Sequence, residues 1–158
     1  GTVSHNLACH TDIYTTFEEI VGRVGESGGG EDGFSLLPIL NGKEQSARKG
    51  LVSHSIDGSF AIREGNWKLC LCYGSGGWSV PKEKQAKADG LPPLQLFNLS
   101  KDVSERENVA ELYPEKVTEL LQFLDDVVKN GRSTPGGQLE NDRVVTFLPK
   151  GVTLPSEN

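Results

Sequence analysis

The stretch from Leu51 to Tyr73, LVSHSIDGSFAIREGNWKLCLCY, constrains the fold more than any other part of the chain. Phe60 and Ile62 alternate with Ala61 and Arg63, and Trp67, Leu69, Leu71 and Tyr73 alternate with Lys68, Cys70 and Cys72. Successive side chains of a strand point to opposite faces, so this alternation marks half-buried strands. Glu64-Gly65-Asn66 separates the two runs as a tight turn. An earlier run, Leu51 to Ile56, is followed by the turn pair Asp57-Gly58. The three runs read as an antiparallel meander with Trp67 in its core. Leu94 to Leu99, LQLFNL, supplies a further strand, with Leu94, Leu96 and Asn98 on one face.

The strongest helix signal is Pro114 to Lys129. Val117, Leu120, Leu121, Leu124, Val127 and Val128 form one apolar stripe. Pro114 suits the first helical turn, and Asn130-Gly131 supplies a left-handed stop. A helix with one stripe must cover a sheet, so the expected fold class is α+β, with about four antiparallel strands packed against one long C-terminal helix. A second helix follows Thr11 or Asp12 as its cap. Its apolar residues, Ile13, Phe17, Ile20, Val21 and Val24, share one face. Gly25 to Gly33 reads as a flexible linker, Phe34 to Leu40 as a short apolar turn, and residues 41–50 as a polar loop. Gly74 to Pro93 reads as a long loop with Trp78 as its one large aromatic; loops of that length are usually functional or mobile. Asn108 opens a short helical turn, residues 132–140 form a Gly/Pro loop, and Val144 to Leu148 reads as a last strand.

A chain of 158 residues suits one domain. Sixteen basic residues stand against twenty-two acidic ones, a net charge of −6, which argues against nucleic-acid binding. No apolar run approaches the length of a membrane span, and the N-terminus is no signal peptide. The absence of methionine suggests a processed or cut chain. Three cysteines, Cys9, Cys70 and Cys72, leave at least one thiol unpaired within the chain, and a bridge between Cys70 and Cys72 would strain one strand. They read as small buried thiols.

The segment SHSIDGSFAIREGNWKLCLCYGSGGWS resembles the C-terminal subdomain of sulfatases, in the branch of arylsulfatases and N-acetylgalactosamine-6-sulfatases. LQLFNLSKDVSERENVAELYPEKV is similar to that family's strand-then-helix ending, with Asp102, Glu105 and Asn108 on its Asp-x-x-Glu-x-x-Asn spacing. Asn98 and Val103 stand where the family often has Asp and Pro. The likeness reaches back through GTVSHNLACHTDIYTTFEEIVG and covers roughly residues 1 to 137. It implies an alkaline-phosphatase-like C-terminal subdomain at 34–137, preceded at 1–33 by a helix and linker from the end of the catalytic domain and followed at 138–158 by a tail. It also implies a parent that hydrolyses aryl or glycan sulfate esters with calcium and a formylglycine nucleophile, often periplasmic or extracellular.

The chemistry of such a parent needs a Cys/Ser-x-Pro-x-Arg motif and hard oxygen ligands for calcium. None of the three cysteines has Pro at the second following position. Ser133-Thr134-Pro135-Gly136-Gly137 copies Ser-x-Pro but carries Gly137 in place of Arg. Asp125-Asp126 falls within a helix and Asn141-Asp142 in a tail, so neither makes a metal pair. His5, Cys9 and His10 lack a second ligand cluster. The expectation is therefore a chain that completes a sulfatase fold without catalytic residues of its own, partnered by the N-terminal catalytic domain and, when isolated, by a second copy. The candidate substrate-rim residues are His54, Arg63 and Trp78, with Lys68 of similar character. For His54 the competing reading is a buried histidine satisfied by a backbone carbonyl. A stand-alone binding or assembly module that reuses the fold is the rival class.

Overall fold

The computed structural model describes residues 1, 3–25, 29–43 and 48–154. Parts of the Gly-rich linker, of the 41–50 loop and of the tail lie outside these described residues. The chain gathers into two compact units, Gly1–Leu51 with Val127–Asp142, and Val52–Asp126 with Arg143–Asn158.

The second unit holds the meander from Val52 onward. Strands β1 (Gly50–His54), β2 (Phe60–Glu64), β3 (Trp67–Cys70) and β4 (Gln95–Asn98) lie in the order β1-β2-β3-β4. β2 pairs antiparallel with β3, and β3 with β4, in a register that aligns Ile62 with Leu69 and Leu69 with Leu96. This row across three strands is fully buried. The helix α4 (Pro114–Asn130) contributes Leu120, Leu121 and Leu124, also buried. Side chains of this size each stabilise the fold by about 1.5–3 kcal/mol on complete burial. Glu115 in the first turn of α4 and Lys129 in its last complement the helix dipole. Gly131 stops the helix at φ 63°, where a Cβ would also collide with the Leu139 carbonyl. The expected α+β fold, an antiparallel sheet with a long C-terminal helix, is therefore present.

Other expectations need correction. The long loop after β3 contains a helix, α3 (Glu83–Ala88), which its polar sequence EKQAKA did not advertise. Ala86 is its one buried residue, and Glu83 anchors it by accepting from the backbone N–H groups of Tyr73 and Gly74 at 3.1 and 3.3 Å. Val144 to Leu148 forms no strand. Only Phe147 of that run is buried, so one side chain packs while its neighbours remain more exposed. Trp67 is half-buried, its ring 5.0 Å from that of Tyr113, at the margin of the core rather than its centre. Asn108 starts no helix. Its Oδ1 accepts from Leu96 N at 2.9 Å and from Ala110 N at 3.0 Å, and its Nδ2 donates to Leu94 O at 3.0 Å, so it supplies β4 with a substitute strand partner.

The first unit contains α1 (Thr11–Ile20) and the short α2 (Leu37–Leu40). The orientation of α1 reverses what its apolar pattern implies. Phe17 is 62% exposed and Val21 67%, whereas Asp12 is fully buried and Thr16 nearly so. Nor does Asp12 cap the helix end; no side chain does, and the N-cap position is His10. Instead one Asp12 oxygen accepts from Cys9 N at 2.8 Å, and the other accepts from Phe34 N at 2.9 Å and from the guanidinium of Arg48. Arg48 also donates to Asp32 O at 2.9 Å and Gly50 O at 3.2 Å, and lies 4.6 Å from the centre of the Phe34 ring. Thr16 Oγ1 donates to Asp12 O and accepts from Leu36 N at 2.8 Å. The end of the Gly-rich stretch is drawn into this polar core: Gly33 is buried, and a Cβ on it would lie 2.8 Å from Thr11 O. Among the described residues no helix is long and apolar enough to cross a membrane.

Candidate functional site

Of the candidate rim residues, His54 falls at the end of the meander beside the β1–β2 turn. β1 delivers Ser53 and His54, and the turn into β2 delivers Ser55 and Ser59. The turn is closed by Ser55 N donating to Ser59 O at 2.9 Å and by Asp57 Oδ1, which accepts from Ser59 N at 3.0 Å. Together with Ser75 and Gly76 from the loop after β3, these residues line a shallow cavity of about 150 Å³. Lys68, Cys70 and Cys72 of the adjoining strand face contribute to its wall.

His54 is exposed, not the buried histidine of the competing reading. Its ring meets the edge of Phe60 with centroids 5.0 Å apart. Arg63 does not line the cavity; its Nε donates to Gly65 O at 3.0 Å across the β2–β3 turn. Trp78 is 84% exposed, in the loop that supplies Ser75 and Gly76. Lys68 is held by both carboxylate oxygens of Glu105, at 2.7 and 2.8 Å. Glu105 adopts φ 54°, the sole non-glycine residue among those described with a positive φ, a conformation that persists only where surrounding contacts support it. Asp102 Oδ2 accepts from Arg106 N and Glu107 N at 2.7 and 2.9 Å, and so turns the chain to place Glu105 on Lys68. The Asp102/Glu105/Asn108 spacing thus fastens the segment after β4 back onto the sheet.

Both sheet thiols are poorly suited to nucleophilic work. Burial pushes the Cys70 thiol up to about 11 and the Cys72 thiol up to about 12, so both stay protonated at neutral pH. Cys72 Sγ donates to Gly74 O at 3.2 Å. Asp57 is held below the usual carboxylate range: burial opposes this, but hydrogen bonds from Ser55 and Ser59 outweigh it. The serine hydroxyls around the cavity were not singled out by sequence reasoning. Ser53-His54-Ser55 was visible, but Ser59 and Ser75 reach the same place only through the two turns.

Among the described residues, no group of three or more His, Cys, Asp or Glu gathers to hold a metal ion. Ser133, in the near-copy of the formylglycine motif, has its backbone N–H bonded to Asp32 Oδ1 at 2.8 Å, and Thr134 is tied to Glu31 O. That segment is a structural loop.

No known family profile matches the chain. A curated N-acetylgalactosamine-6-O-sulfatase of Bacteroides thetaiotaomicron is 28% identical over 121 residues, 77% of this chain and 23% of that protein. A Bacteroides thetaiotaomicron sulfatase, solved in work on the metabolism of multiple glycosaminoglycans, superposes with a TM-score of 0.58 at 28% identity, covering 73% of this chain and 24% of the other. The chain resembles the C-terminal portion of a sulfatase. Ps i-CgsB in complex with k-i-k-neocarrahexaose shares the fold, with a TM-score of 0.50 at 24% identity over 73% of this chain and 23% of its own. The chain spans about a quarter of the length of each of these proteins.

Proposed function

We propose that this chain is the C-terminal part of a sulfatase whose whole hydrolyses sulfate esters, and that its own role is to complete the fold and shape the rim of the cleft. The observation that carries the reading is the joint match in sequence and fold to about a quarter of a sulfatase. Two features support it. The cavity at His54, beside the β1–β2 turn, brings serine and histidine side chains together at a surface suited to a rim. The outward apolar face of α1 suits a surface that another part of a larger protein covers. Calcium and the formylglycine nucleophile would then belong to the remainder of the parent, as would the choice between aryl and glycan sulfate.

The test is the coding sequence upstream of Gly1. An in-frame Cys/Ser-x-Pro-x-Arg motif together with acidic metal ligands is expected. A start codon directly before Gly1 would overturn the reading in favour of a stand-alone binding or assembly module.

A further inference from the structure

The loop after β3 holds one large aromatic ring away from the fold. Ser75 N donates to Pro81 O at 2.9 Å, Ser75 Oγ to Ser79 O at 2.8 Å, and Lys82 Nζ to Gly77 O at 2.7 Å. These ties close the loop on itself and leave Trp78 at its tip, 84% exposed. A side chain so exposed adds little to folding, yet its loop is fastened at three points. The indole presents a flat apolar face and an N–H donor, which suits a ligand with both apolar and hydroxyl-bearing surfaces.

The base of the same loop borders the cavity at β1 and β2. Gly76 lies against it, two residues from Trp78, beside Ser53, His54, Ser55, Ser59 and Ser75. Ser55 Oγ donates to Asp57 Oδ1 at 2.5 Å; Ser75 Oγ donates to Ser79 O and accepts from Gly77 N at 3.3 Å. Each oxygen therefore keeps at least one acceptor lone pair for a ligand's hydroxyl groups. The lysine that lines the cavity is engaged: Lys68 is chelated by the Glu105 carboxylate. Asp57 adds a carboxylate at the cavity's edge. An anion would meet a lysine already neutralised and a negative charge close by. An uncharged ligand rich in hydroxyls meets serine residues and an imidazole in the cavity, with the Trp78 ring two residues along the loop from Gly76.

We propose that this cavity and Trp78 form a subsite for an uncharged pyranose unit of a glycan, stacked on the indole and hydrogen-bonded by the serines and His54, and that the sulfate group binds elsewhere. The glycan class rests on the sulfatase reading above; the preference for a neutral sugar over sulfate comes from the commitment of Lys68 to Glu105.

The experiment is an NMR titration of the full 158-residue chain with the methyl glycoside of N-acetylgalactosamine, and separately with sodium sulfate. The two indole N–H signals, from Trp67 and Trp78, report on different places. At millimolar concentrations the glycoside is expected to move the Trp78 and His54 signals and leave Trp67 in place. Trp78→Ala should weaken binding by about tenfold or more at an unchanged thermal midpoint. Sulfate should neither shift these signals nor compete. Absence of a Trp78 shift, undiminished binding by Trp78→Ala, or competition by sulfate would each overturn the subsite. No turnover is read, so failure here leaves the sulfatase reading to its own test, and failure of that reading leaves this titration to be judged by itself.

Discussion

Asp12 and Arg48 form an ion pair in which neither side chain is more than 2% exposed. The pair joins α1 to a segment 36 residues later and ties in the backbone at Cys9, Asp32, Phe34 and Gly50. Removing one partner strands the other charge without water or counter-charge. We predict that Arg48→Ala destabilises the first unit by about 3–5 kcal/mol. Denaturant midpoints, together with hydrogen-exchange protection of the α1 amides, measure it. A loss typical of a surface residue, with α1 still protected, would contradict the buried pair.

The same carboxyl gives a pH dependence with a definite sign. Burial would raise its proton affinity, but the hydrogen bonds from Arg48, Phe34 N and Cys9 N prevail and hold Asp12 below its ordinary value. A group depressed in the folded state contributes stability that is present above its unfolded value of about 3.9 and lost as pH falls through its folded value. Stability should therefore decline as pH drops below about 4. Asp57 is shifted in the same direction, so the comparison is with Asp12→Asn, whose acid limb should be shallower. Identical acid limbs in the two proteins would remove Asp12 from the account.

The two tryptophans should behave differently. Trp67 packs against Tyr113, and its truncation to Ala should cost about 2–3 kcal/mol, less than a fully enclosed tryptophan. Trp78→Ala should stay within about 0.5 kcal/mol of the parent. Chemical denaturation of both variants decides it; equal losses would mean that one ring is wrongly placed.

The outward face of α1 predicts self-association of the isolated chain. Ile13, Phe17, Ile20, Val21 and Val24 are all exposed. Covering them is favourable by about 25 cal/mol per Å² of apolar surface. A net charge of −6 opposes association, but salt screens it. Sedimentation over a concentration series should show a dimer that Phe17→Glu dissociates. A strictly monomeric chain at high concentration would contradict this.

The sheet and α4 were legible because burial on one face leaves a regular signature: Phe60 and Ile62, and Trp67, Leu69 and Leu71, repeat every second residue, and Leu120, Leu121 and Leu124 follow helical spacing. The position of α1 as a helix was legible for the same reason, but its orientation was not. Apolar patterning assumes that the apolar side turns inward, and here a buried carboxylate with a distant arginine overrides it. Nothing local to Asp12 announces Arg48. α3 escaped notice because its hold is one buried alanine and one carboxylate bonded to backbone. At the candidate site, His54 and Trp78 could be picked out as residue types. The pairing of Lys68 with Glu105, which changes what the cavity can bind, depends on a left-handed residue 37 positions later that no short-range pattern encodes.

The most direct measurement is sulfate release from N-acetylgalactosamine 6-sulfate and from an aryl sulfate, with calcium present. The 158-residue chain alone is compared with the same chain joined to its upstream coding region. The account predicts no turnover by the chain alone above a heat-killed control, and turnover by the joined protein. Turnover that tracks the purified chain by itself, or none from the joined protein on any sulfate ester, would contradict it.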